Sequence, residues 1–227
     1  MRITKGMPRY TLVIGNKNYS SWSLRPWLLM KQAGLDFGEI RVPLYTGAYK
    51  DEIRKHSPAG KVPVLLDGEL AVWDSLAIAE YLAERHPEKQ LWPRHAARRA
   101  VARSISAEMH SGFSALRTNM SMNCRRSLPG RGRTVEVAAD IDRIQRMWTE
   151  CRGQASSEGP FLFGAFSIAD AMYAPVALRF KIYAVNLPPV AQQYADAILA
   201  LAPLQEWVEA AKAETESIPA FEPAATP

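Results

Sequence analysis

The sequence predicts a small α/β domain followed by an all-helical one, on three observations. Four strand-like apolar runs, separated by helical patterns and turn residues, all fall before about residue 88. The stretch His86-Pro87-Glu88-Lys89-Gln90-Leu91-Trp92-Pro93 has the composition of a linker. From Arg94 onward strand signals stop and apolar residues recur at helical spacing. Domains at 8–88 and 94–222 follow, and a chain of 227 residues is long enough to give each a core.

Tyr10 to Ile14 reads as the first strand, and a Gly/Asn/Ser loop runs on through Tyr19. Leu24, Trp27, Leu28 and Met30 mark a helix that stops at Gly34. Proline lacks an N–H and fits best in the first helical turn, so Pro26 puts the cap of this helix at or shortly after Ser23. Ile40, Val42 and Leu44 alternate as a second strand, and Tyr49 to Lys55 suits a short helix. Val62–Leu66 and Leu70–Trp73 form a hairpin across Asp67-Gly68, and a helix runs from Ser75 to about His86. The order β-α-β then β-β-α requires a mixed sheet, because so short a turn cannot make a parallel crossover. Helices are then expected at about 94–122, 134–155, 167–183 and 203–213. Ser167-Ile168-Ala169-Asp170 reads as a capping box, with Asp170 in the usual place of Glu or Gln, and so as structural.

The formal charge of +5 raises the possibility of a nucleic-acid partner. Yet the basic stretch Arg117, Arg125, Arg126, Arg131 and Arg133 has no interleaved aromatics and contains Pro129, Gly130 and Gly132, which suits a solvated loop. No apolar run reaches the roughly 20 residues of a membrane span, and Met1-Arg2-Ile3-Thr4-Lys5-Gly6-Met7-Pro8 lacks a signal-peptide core. A cytoplasmic protein with neither nucleic-acid nor membrane partner is expected. Cys124 and Cys151 are too few and too isolated for a disulfide framework, a redox pair or a zinc site, so no metal is expected.

Pro63 opens a strand directly after the bend Pro58-Ala59-Gly60, where its missing N–H does no harm. A cis Val62–Pro63 bond would turn the backbone of Val62 away from the sheet, free to pair with a peptide ligand. Asp74-Ser75 offers a partner for each of the two charges of an α-amino acid head group. Ser75, read as a helix start, presents N–H groups to a carboxylate, and Asp74 can take the ammonium. With Ser23 as the cap, Ser20 and Ser21 remain in the loop facing the positive helix end. Tyr19 and Trp22 are the competing candidates in this loop; a tyrosine hydroxyl could donate to an anion as serine does, but Tyr19 precedes the serines and is read as a packing residue. Met109, Phe113, Leu116 and Met120 form an apolar wall, either core or pocket, and His110 lies among them.

Asn18-Tyr19-Ser20-Ser21-Trp22-Ser23-Leu24-Arg25, Lys61-Val62-Pro63-Val64-Leu65, Asp74-Ser75-Leu76-Ala77-Ile78-Ala79-Glu80-Tyr81-Leu82 and Ser167-Ile168-Ala169-Asp170-Ala171 together resemble the soluble glutathione S-transferase family, over nearly the whole chain from Tyr10. The serine stretch is most similar to the zeta and tau branches. Trp22 stands where the zeta motif has cysteine, and Leu24 where it has tryptophan. The resemblance implies a thioredoxin-like domain that binds glutathione, a helical domain that supplies the electrophile pocket, and a homodimer. It further implies that Val62, with a cis Pro63, pairs with the cysteinyl unit, that Asp74 and Ser75 hold the γ-glutamyl end, and that Lys61, or less directly Lys50, meets the glycyl carboxylate. Met109, His110, Phe113 and Leu116 would line the electrophile site. Ser20 or Ser21 would hold the thiolate, and the register set by Arg25 favours Ser20. The implied activity is conjugation of glutathione to a small hydrophobic electrophile; the rivals are a zeta-like cis–trans isomerase and a non-catalytic glutathione-binding protein.

Overall fold

The computed structural model describes residues 8–155 and 158–222, so Met1–Met7, read above for a targeting segment, lie outside the described residues. The first domain contains β1 (Tyr10–Ile14), α1 (Ser21–Gln32), β2 (Phe37–Arg41), α2 (Tyr49–Arg54), β3 (Val64–Asp67), β4 (Leu70–Trp73) and α3 (Ser75–Arg85). Its sheet has the order β2-β1-β3-β4. β1 and β2 are parallel, whereas β1–β3 and β3–β4 are antiparallel, so the sheet is mixed as the connection lengths require. Pairing of Val13 with Val64 and of Val64 with Trp73 fixes the register next to Pro63.

The second strand is displaced from its expected position: it covers Phe37–Arg41 and ends before Val42 and Leu44. Pro43 has no N–H with which to continue a ladder. The alternation still describes a face, because Ile40, Val42 and Leu44 pack with Val13, Ile53 and Val64 on one side of the sheet.

The helical domain contains α4 (Ala96–Ser111), α5 (Ser114–Asn119), α6 (Val135–Gly153), α7 (Ile168–Ile182), α8 (Pro189–Leu199) and α9 (Ala202–Ala213). The helix expected over 94–122 is broken at Gly112-Phe113. Phe113 takes a left-handed conformation with φ 54°. A Cβ on Gly112 would stand 2.8 Å from the Glu108 carbonyl oxygen, so the break depends on glycine. The helix α8, absent from the sequence reading, buries Ala191, Tyr194, Ala195 and Ile198. The capping box of α7 forms as read, with Ser167 N–H donating to Asp170 Oδ2 at 2.8 Å. Asp170 also accepts from Leu162 N–H at 3.0 Å, and burial pushes its carboxyl up to about 6.

One apolar core runs through both domains, and α1 packs between the sheet and α7. Beyond α9 the chain returns across the first domain as a strap, residues 214–222. Glu214 accepts from the N–H groups of Lys17 and Asn18 at 2.7 and 3.0 Å. Tyr19 donates its hydroxyl to Glu222 at 2.5 Å, and the Phe221 ring lies 5.9 Å from those of Tyr19 and Tyr45. Arg125 fastens the same place from the other side, donating to Glu214 O at 2.7 Å, Glu216 O at 2.8 Å and the Tyr19 hydroxyl at 2.6 Å.

Candidate active site

The serine loop is built around the start of α1. Ser20 is the N-cap residue and Ser21 the first helical residue, so the cap falls three positions earlier than Pro26 led us to expect. Pro26 is an interior residue of a helix whose face Leu24, Trp27, Leu28, Leu29 and Met30 is completely buried. An interior proline costs about 3 kcal/mol. Burying five large apolar side chains, at about 1.5–3 kcal/mol each, outweighs that.

Ser20 Oγ makes no capping hydrogen bond and lies 2.8 Å from Ser23 Oγ. Ser23 accepts from Gly15 N–H at 3.1 Å and is fully buried. Ser23 is therefore not a cap but a prop. Ser23 accepts from both Gly15 N–H and the Ser20 hydroxyl, and because a hydroxyl turns about its C–O bond, Ser20 keeps a hydrogen that a ligand anion can draw away from Ser23. Ser21 Oγ accepts from Arg179 Nη2 at 3.2 Å and so also keeps a hydrogen to donate.

Ser75 starts α3 as read from the sequence, and Asp74 adds a capping role to the one read for it. Asp74 is the N-cap of α3, with Oδ1 accepting from Leu76 N–H at 2.9 Å and Ala77 N–H at 3.3 Å. Ser75 is the first helical residue, nearly inaccessible, and its Oγ accepts from Arg25 Nη1 at 3.3 Å. A carboxylate reaches the second and third helical N–H groups better than Ser75 could from within the helix, which is why Asp74 takes the cap. Asp74 adopts φ 77°, a conformation that costs a non-glycine residue about 1–3 kcal/mol and that clusters at ligand sites.

The Val62–Pro63 bond is cis. Val62 precedes β3, and its N–H and C=O take no part in the hydrogen bonds among the described residues. Lys61 is exposed, and its N–H donates to Ser57 Oγ at 3.2 Å. Lys50 is exposed on α2, where it lines a surface hollow with Arg54, Ser57, Pro58, Ala59 and Gly60.

His110 comes from the last turn of α4 to within 3.2 Å of Asp74, Nε2 to Oδ2, and meets the Trp22 ring edge-on at 5.3 Å. The apolar residues around it are core rather than wall: Met109 is 1% exposed and Leu116 0%, so neither presents a surface to a ligand, and Phe113 is also buried. Between core and pocket, the first alternative holds for them because α4 and α5 turn these positions towards α6 and α7.

Two functional candidates were missed by sequence reasoning. Arg25, used there only to set register, is buried with its guanidinium 4.2 Å from the centre of the Trp22 ring. Burial, helped by Arg117 and Arg179, pushes it down to about 9. Arg179 is also buried, donating to Met120 O, and burial pushes it down to about 10. Two buried guanidiniums that touch Ser75 and Ser21 without a direct carboxylate partner make a site that favours anions. No local signal could have separated Arg179 from the neighbouring Lys181. The cysteines lie apart from this chemistry: burial pushes the Cys124 thiol up to about 12 and the Cys151 thiol up to about 11. Among the described residues no group of His, Cys, Asp or Glu gathers as a metal ion would need.

A cis-proline strand edge, an acidic cap and a serine loop on a four-stranded mixed sheet, joined to a helical bundle, define a glutathione-binding class of fold. The comparisons agree. Residues 19–85 match the glutathione S-transferase N-terminal domain and residues 134–210 the C-terminal domain. The chain belongs to the glutathione S-transferase family. It is 26% identical over 191 residues to glutathione S-transferase Z1 of Arabidopsis thaliana, covering 78% of this chain and 85% of that one. A probable maleylacetoacetate isomerase of Caenorhabditis elegans is 38% identical over 97 residues, 42% of this chain and 44% of its own. Among solved structures, a glutathione transferase homologue from Burkholderia with bound glutathione superimposes with a TM-score of 0.69 at 24% identity, over 89% of this chain and 98% of that one. A tau-class enzyme from mango, Mangifera indica, gives 0.67 at 16% identity over 90% and 96%.

Proposed function

We propose that this glutathione transferase activates glutathione as the thiolate at Ser20 and adds it to a small hydrophobic electrophile. The observation that carries this reading is the Ser20 hydroxyl, uncommitted to its own helix cap and backed by Ser23 and Gly15. A free thiol with pKa about 8.5 must fall by about two units to be mostly ionised at neutral pH, which takes about 2.7 kcal/mol. A hydroxyl donating to an anion contributes about 1.5–3 kcal/mol and a helix N-terminus about 0.3–2. The buried Arg25 and Arg179 act in the same direction, so no enzymic cysteine, metal or general base is required.

In this reading the Val62 backbone pairs with the cysteinyl unit, Asp74 binds the γ-glutamyl ammonium and Ser75 its carboxylate. Lys61 and Lys50 have no side-chain partner among the described residues and are suited to the glycyl carboxylate. The protein would act in the cytoplasm as a homodimer, in detoxification. The matched isomerases favour a second reading, in which glutathione adds reversibly to a cis-enediacid and is then released. Assay of maleylacetoacetate for cis–trans conversion separates the two.

The test is ultraviolet titration of bound glutathione in wild type, Ser20→Ala and Ser21→Ala. The Ser20 variant should still bind glutathione while its thiol pKa rises by about one to two units. Equal values in all three proteins refute activation by serine.

A further inference from the structure

Asp74 is held from two domains. Its Oδ1 is committed to the second and third N–H groups of α3, and its Oδ2 faces Nε2 of His110 at 3.2 Å. A helix cap alone needs only the first of these. His110 is itself fixed: Arg117 Nη1 donates to its carbonyl at 3.2 Å, and Trp22 packs against the imidazole edge-on. Its Nδ1 is buried without a partner. A buried N–H with no acceptor is costlier than a buried lone pair, so the proton of the neutral ring belongs on Nε2, aimed at Asp74. That donor occupies one lone-pair direction of Oδ2 and leaves the other for a ligand cation.

We infer that His110 is a positioning residue for glutathione: it holds the second carboxylate oxygen of Asp74 where the γ-glutamyl ammonium must meet it, so that the helical domain sets affinity for the peptide bound by the first. The inference rests on the proposed role of Asp74 and moves His110 from the electrophile wall to the glutathione side. Without His110, the Asp74 carboxylate keeps its cap bonds but can swing about them toward solvent, for its side chain is 39% exposed.

The experiment compares glutathione with its analogue lacking the α-amino group, glutaryl-cysteinyl-glycine, by titration calorimetry. His110→Leu should weaken glutathione about tenfold, the size of one hydrogen bond to a charged group, and change the analogue by less than about twofold. His110→Gln, whose amide N–H can reach the Nε2 position, should recover most of the loss. With chlorodinitrobenzene as the electrophile, the Leu variant's loss should fall in KM for glutathione rather than in kcat. Thermal melts establish that each variant is folded. Equal losses for both ligands, or none, overturn the role of His110. Asp74→Asn distinguishes that failure from a failure of the underlying reading: if it too weakens both ligands equally, Asp74 does not bind the ammonium, whereas discrimination by Asp74→Asn alone sinks only the inference about His110.

Discussion

Ser23 is the residue whose meaning changed most between pattern and structure. As a cap, its loss would cost only stability. As the prop between Gly15 N–H and Ser20 Oγ, its loss also frees the Ser20 rotor. Ser23→Ala should therefore raise the bound thiol pKa by a fraction of what Ser20→Ala does, and the same ultraviolet titration reads it; an unchanged pKa would return Ser23 to a packing role. Asp74→Ala joins two effects in one side chain. It should raise half-saturating glutathione and also lower stability by about 0.5–2 kcal/mol, because the cap of α3 goes with it, and denaturant unfolding measures the second effect. Neither cysteine touches the serine loop's hydroxyls, and both thiols are held well above neutral pH, so thiol-blocking reagents should leave turnover intact in folded enzyme.

At the level of elements, the capping box of α7 carries a pH signature. The folded pKa of Asp170 is about 6 against an ordinary 3.8, so the folded state holds its proton more tightly than the unfolded chain. The stabilising share of that proton is complete below about 3.8 and is lost as pH rises through about 6. Thermal midpoints should show the wild-type advantage over Asp170→Asn shrinking across that window and flat above it. Elements legible from local spacing came out where expected: the hairpin across Asp67-Gly68, the capping box, and the helices α6, α7 and α9. The misplaced start of α1 has a physical cause, for Pro26 gives a local signal and the burial that overrides it is tertiary. The helix α8 did carry signals, with Pro188-Pro189 at its start and apolar residues at 191, 194, 195 and 198.

For the whole molecule, light scattering at micromolar concentration should give twice 25.3 kDa; a single monomeric species would contradict the proposed homodimer. The candidate site divides by sequence distance. Ser20, Ser21, Val62, Pro63, Asp74 and Ser75 were legible because each belongs to a short motif whose chemistry is local. Arg179, which reaches Ser21 from 158 positions away, and His110, which reaches Asp74 from α4, acquire their roles only when the domains pack. The strap over Tyr19 extends this dependence to synthesis. Glu214 ties down Lys17 across 197 positions, so the serine loop of a nascent chain leaves the ribosome unfastened and stays so until the helices through α9 have been made. A chain released with its end just before Glu214 keeps every helix through α9 but lacks the strap, and it should bind glutathione more weakly than the full chain does.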